Sequence, residues 1–205
     1  MSLFPMFVKL SGRPCLVVGA GPLGEAKIEG LLASGAAVRV LAPQATPAVE
    51  DWARSGRIVW DARTFEPADL EGTFLVVAAT SSVEVNDSVF REAQRRGVLC
   101  NVVNDPEHCD FYYPAVVRRG DLQIAISTNG RSPALAQRLR RELEEQFGPE
   151  YEAWIEQLGQ KRKELLSHEM DPEERRRLLH QQASREAFET FIRELELTAF
   201  REGAA

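Results

Sequence analysis

The stretch Cys15-Leu-Val-Val-Gly-Ala-Gly-Pro-Leu-Gly24 decides how this chain folds. Cys15 to Gly19 is a short apolar run of the kind that forms a buried strand. Glu25 to Ser34 has helical spacing that Gly35 stops, and Ala37-Val-Arg-Val-Leu41 is a second strand. Together they read as a β-α-β unit. The turn inside it, Gly19-Ala-Gly-Pro-Leu-Gly24, fits Gly-x-Gly-x-x-Gly. Gly19 permits the tight turn, Gly21 lets a pyrophosphate approach the backbone, and Gly24 lets helix and strand pack closely. Unpaired amides at the helix start then face the diphosphate. Pro22 removes one donor, but in the first turn that N–H has no helical partner anyway. A tight turn without a ligand is the alternative, and the strand-helix context favours dinucleotide binding.

Working outward, further strands are expected at Arg57-Ile-Val-Trp60, Thr73 to Ala79 and Val98 to Val103, with a helix over Val83 to Arg96. Near-continuous apolar strands separated by helices indicate a parallel sheet covered on both faces, an α/β Rossmann-like architecture. The pattern changes near Tyr113. Pro114 to Ser127 holds two alternating runs around Arg119-Gly-Asp121, an antiparallel hairpin. Ser132-Pro133 opens a helix to about Phe147, with Ser as N-cap and Pro at the first helical position. From Gly148 onward the pattern is helical and highly charged, with Asp171-Pro172 as another helix start. The expected division is a Rossmann domain over 1–113, a hairpin and helix over 114–147, and a helical C-terminal domain over 148–205.

The 205 residues carry 44% hydrophobic and 27% charged side chains, ordinary for a globular protein. A net charge of −6 argues against a general nucleic-acid binder, which needs a basic field. Three cysteines, Cys15, Cys100 and Cys109, imply neither a disulfide framework nor a zinc ribbon. A reduced cytoplasm is the expected compartment. No apolar run approaches the roughly 18 residues that a membrane span needs.

One expected part of the cofactor site is missing. An acid ending the second strand usually binds the adenosine ribose hydroxyls, yet Leu41-Ala-Pro-Gln44 stands there. The ribose must be held otherwise, for instance by the backbone around Pro43 and Gln44. Arg39 suggests a 2′-phosphate partner, but its place within the strand favours a structural or surface role, so NAD is expected over NADP.

Three further stretches join the glycine turn: Ala78-Ala-Thr80, Asn101-Val-Val-Asn-Asp-Pro106 leading to Phe111 and Pro114-Ala115, and Ile126-Ser-Thr-Asn-Gly-Arg-Ser-Pro-Ala-Leu-Ala136. With the opening Phe4 to Arg13, they resemble the siroheme-synthase N-terminal family, the precorrin-2 dehydrogenases, some of which are also sirohydrochlorin ferrochelatases. The resemblance covers about residues 1–147. It implies NAD-dependent oxidation of precorrin-2 to sirohydrochlorin by a homodimer whose chains interlock through the central region. It places the cofactor against Gly21, Pro22 and Leu23, against Pro43 and Gln44, and near Thr80 and Val103. Bifunctional dehydrogenase and ferrochelatase activity, or a non-catalytic NAD or tetrapyrrole sensor, are the alternatives.

The implied substrate is a polycarboxylate, and its dehydrogenation releases a hydride and a proton. A carboxylate at the carboxyl end of the sheet suits the proton. The family often has Asp directly after Asn-Val-Val; here Asn104 stands there and Asp105 follows. Either Asp105 takes over, or water accepts the proton, or Asp105-Pro106 only forms a turn. Ser127 and Thr128 could bind substrate carboxylates or cap the strand end. Arg131 and Arg138 could bind the same carboxylates, within a group from Arg118 to Arg141 expected to converge against the acidic total. Pairing with Glu142, Glu144 and Glu145 is the alternative for each. His108-Cys109 is not read as a metal site.

Overall fold

The computed structural model describes residues 3–203. The chain divides into two compact units, Met1–Tyr113 and Pro114–Ala205. In the first, β1 (Pro14–Ala20), α1 (Pro22–Ala33), β2 (Ala37–Ala45), α2 (Pro47–Arg54), β3 (Val59–Asp61), β4 (Leu75–Ala78), α3 (Val83–Arg96) and β5 (Leu99–Val102) follow in sequence. The strands form one parallel sheet in the order β3-β2-β1-β4-β5. This is the doubly wound arrangement, with its switch point between β1 and β4.

Successive side chains of a strand point to opposite faces, and β1 serves two cores. Cys15 and Val17 pack on one side with Ile28 and Leu31 of α1 and Val49 of α2. Leu16 and Val18 pack on the other with Val89 and Ala93 of α3. Val17 lies beside Val40 of β2 and Val77 of β4, all fully buried. The apolar runs in the sequence are therefore central strands covered on both faces.

Four local expectations are corrected. Helix α1 begins at Pro22 rather than Glu25, because the second half of the glycine turn is itself the first helical turn. Strand β2 continues beyond Leu41 through Pro43 to Ala45. Pro43 is tolerated because β3 pairs only with Arg39 to Leu41, and the β1 register slips between Val18 and Ala20, so no ladder bond needs its missing N–H. Strand β3 is displaced to Val59–Asp61. Helix α2 was not expected, although Thr46-Pro47 carries the same N-terminal signature as Ser132-Pro133.

In the second unit β6 (Ala115–Arg119) and β7 (Leu122–Ile126) form the antiparallel hairpin, turning at Gly120 with φ 54°. Four helices follow: α4 (Pro133–Gln146), α5 (Glu150–Ser167), α6 (Pro172–Gln182) and α7 (Arg185–Gly203). Ser132 Oγ accepts from Leu135 N at 3.3 Å, and Asp171 Oδ2 accepts from Glu173 N and Glu174 N at 2.9 and 3.0 Å. Both helix starts thus satisfy amides that have no helical partner. Trp154 lies 4.8 Å from Phe188, whose ring also meets Tyr151 at 4.4 Å. Among the described residues, no helix is long and apolar enough to cross a membrane.

Candidate functional site

A cleft of about 570 Å³ opens at the carboxyl ends of β1, β2 and β4, within the range of small-molecule sites. Of the expected cofactor residues, Gly19, Gly21, Pro22, Leu23, Pro43, Gln44 and Thr80 line it. Gly24 and Val103 do not. Gly24 is buried under the turn, where a Cβ would run into the carbonyl oxygen of Gly19. Val103 lies one strand over, its N–H donating to Ala78 O at 2.9 Å.

The glycine turn has the shape a diphosphate requires. Gly19 has φ 107°, and a Cβ there would sit 2.5 Å from Ala79 O. At Gly21 a Cβ would meet nothing within 4 Å, so its absence leaves open space in the cleft wall at the N-cap of α1. No side chain caps that helix end. The first-turn amides are therefore left for an anion, and the helix dipole favours one there. The residues present fit a dinucleotide pyrophosphate.

The wall after β4 is locked by a residue the sequence reading did not single out. Thr80 Oγ1 donates to Asn86 Oδ1 at 2.7 Å, and Asn86 Nδ2 donates to Thr80 O at 3.1 Å. Ser82 then caps α3 by accepting from Val85 N at 3.2 Å. Opposite, Arg63, Thr64 and Phe65 from the loop after β3 also line the cleft. Arg39 pairs with Asp61, its Nε 2.9 Å from Oδ2, and does not line the cleft.

The loop after β5 carries Asn104 and Asp105, the residues expected at the proton-accepting position, and neither lines the cleft. Asn104 has φ 65°, a left-handed conformation that Asn tolerates better than most side chains. Asp105 starts a short 3₁₀ turn, and its Oδ2 lies 2.6 Å from His108 Nδ1. The eclipsed i,i+3 geometry of such a turn brings the two together. The His108 hydrogen bond holds the Asp105 carboxyl below its usual value, and the same bond raises His108. His108 also packs edge-on against Phe90 at 4.4 Å.

This pairing sets a pH window. The raised His108 contributes fully below its ordinary 6.5 and fades as pH climbs through its folded value. The lowered Asp105 contributes above its ordinary 3.8 and fades as pH falls through its folded value. The pair thus holds the loop most firmly between those limits. An NMR titration should find His108 above 6.5 and return it toward 6.5 in Asp105→Asn; an unchanged midpoint would mean the two do not interact in solution.

The thiols are placed as packing groups. Burial pushes Cys15 up to about 11 and Cys100 up to about 12. Cys109 Sγ sits 3.2 Å from Val102 O and 3.1 Å from Asp105 O, bracing the loop.

In the second unit the expected substrate residues have local partners. Ser127 Oγ accepts from Asn129 N and Thr128 Oγ1 from Ser132 N, each at 3.1 Å. Both hydroxyls shape the turn into α4. Arg138 pairs with Glu142 at 3.3 Å, and Arg140 with Glu144. Arg119 donates to the carbonyls of Glu144 and Phe147. For Arg138 and Arg140 the structure shows the i,i+4 pairing with acids that was the alternative to substrate binding. Arg131 is exposed.

The sheet order, the glycine turn at its switch point and the cleft beside it define a dinucleotide-binding protein of the Rossmann class. The chain belongs to the NAD(P)-binding family whose sequence profile matches residues 6–115, and residues 119–146 match the central region of sirohaem biosynthesis proteins. It is 45% identical over 144 residues to a siroheme synthase of Methylobacillus flagellatus, covering 70% of this chain and 31% of that protein. It is 39% identical over 178 residues to siroheme synthase 2 of Yersinia enterocolitica, covering 86% and 38%. The chain thus spans about a third of the length of the curated relatives it matches. Among solved structures, SirC, a precorrin-2 dehydrogenase, superposes with a TM-score of 0.78 at 26% identity, covering 95% of this chain and 99% of that one.

Proposed function

We propose that the protein oxidises precorrin-2 to sirohydrochlorin with NAD, as a homodimer in the cytoplasm. The observation that carries this reading is the glycine-walled cleft at the switch point, in a chain whose fold follows a precorrin-2 dehydrogenase over 95% of its length. When bound, NAD⁺ supplies the hydride acceptor, so precorrin-2 and NAD⁺ give sirohydrochlorin, NADH and one proton.

The protein's own groups orient the cofactor and take the proton. Gly21, Pro22 and Leu23 seat the pyrophosphate at the start of α1, and the Thr80–Asn86 lock fixes the wall beside it. Asn104 has no ionisable group, and Asp105 alone is a weak base because His108 holds its proton affinity down. The Asp105–His108 pair is the better acceptor. Asp105 occupies Nδ1, so the proton arrives at Nε2 of an imidazole whose raised pKa suits work near neutral pH. Arg131 and Arg138 are the cations we assign to substrate carboxylates, with Ser127 and Thr128 shaping the turn that leads into α4.

The test is turnover of precorrin-2 by purified protein. NADH and sirohydrochlorin should form in equal amounts. NAD⁺ binding without turnover would leave a sensor and overturn the enzyme.

A further inference from the structure

The adenosine end of the cleft poses a physical problem. In the doubly wound fold that end lies beside the end of β2, where Pro43 and Gln44 replace the usual acid. The charged side chain lining the cleft at this end is Arg63, from the loop after β3. Its Nη1 lies 2.9 Å from Asp69 Oδ2 and its Nη2 2.5 Å from Oδ1, a bidentate fork. Nη1 also donates to Thr64 O at 2.9 Å.

Asp69 is itself fixed. Its side chain is 6% exposed, its Oδ2 accepts from Glu66 N at 2.8 Å, and Arg39 approaches its Oδ1 at 3.2 Å. Arg63 keeps 40% of its side chain exposed. The fork to Asp69 fixes the plane of the guanidinium and leaves its flat face unengaged. Such a face stacks on aromatic rings.

We propose that Arg63 is the residue that holds the adenine ring of the dinucleotide, by stacking, and that Asp69 positions it. This assignment rests on the NAD-binding reading above and supplies the adenosine contact that the missing strand-end acid leaves vacant. The proposal gives Arg63 a contact to the base and none to a ribose 2′-phosphate.

Calorimetric titration of the full chain with NAD⁺, ADP, CDP and 2′,5′-ADP tests this. Wild type should bind ADP more tightly than CDP, whose pyrimidine offers less surface to stack, and should bind 2′,5′-ADP no more tightly than ADP. Arg63→Ala should weaken ADP and NAD⁺ about tenfold and leave CDP nearly unchanged. Arg63→Lys keeps the charge and the pairing with Asp69 but lacks the flat face. It guards against a folding defect in the alanine variant and should lose most of the same affinity. If both variants bind ADP as wild type does while NAD⁺ still binds, the Arg63 assignment is wrong and the cofactor reading stands. Tighter binding of 2′,5′-ADP would also overturn it, by making Arg63 a phosphate ligand. Wild type that binds neither NAD⁺ nor ADP removes both.

Discussion

Gly24→Ala should lower stability by at least about 3 kcal/mol and shift the melting midpoint down by roughly 6 to 12 °C. The added methyl would run into the carbonyl oxygen of Gly19, a backbone atom that cannot rotate away. Either α1 lifts off β1 or the turn unwinds, and both remove the anion cradle. Gly21→Ala is the informative contrast. Its methyl would meet no protein atom within 4 Å, so the fold should melt as wild type does. The methyl would instead enter the space assigned to the pyrophosphate, and NAD⁺ affinity should fall more than tenfold, through lost backbone approach. Thermal melts and NAD⁺ titrations of the two variants separate packing from binding. A Gly21→Ala protein that binds NAD⁺ normally would move the pyrophosphate off the turn.

Asp105→Asn should reduce turnover about a hundredfold or more while NAD⁺ affinity is retained. The amide cannot hold a positive charge on His108, so the imidazole loses the partner that raises its proton affinity. His108→Gln should give a loss of similar size, and the double variant should be little worse than either alone, because the two residues act as one acceptor. The pH profile gives a second readout. In wild type the activity should rise as His108 loses its proton, and in Asp105→Asn that rise should move to lower pH. Unchanged turnover in Asp105→Asn would take the pair out of the mechanism and leave the proton to water.

Much of the fold was legible because burial writes itself into the sequence with period 2 or as apolar runs. The strands around Val17, Val77 and Cys100, the glycine turn, and the helix starts at Ser132 and Asp171 all carry local signals. The misread parts depend on what lies next to them in space. Pro43 looks like a strand breaker until the slipped register shows that no ladder bond needs its N–H.

The site divides in the same way. The contact of His108 with Asp105 follows from a 3₁₀ turn that no periodicity announces over three residues. Arg63 meets Asp69 from the loop before the short 3₁₀ turn that holds Asp69, and no spacing rule links the two. The arginines of α4 show the opposite case. Their i,i+4 acids were visible in the sequence, and Arg138 and Arg140 form those local pairs.

The central claim is hydride transfer from precorrin-2 to NAD⁺, and isotope transfer tests it most directly. Precorrin-2 deuterated at the carbon that gives up hydride, incubated with purified protein and NAD⁺, should yield NADH carrying one deuterium and an equal amount of sirohydrochlorin. NADH without the label, or no NADH from a protein shown to bind NAD⁺, would contradict the account.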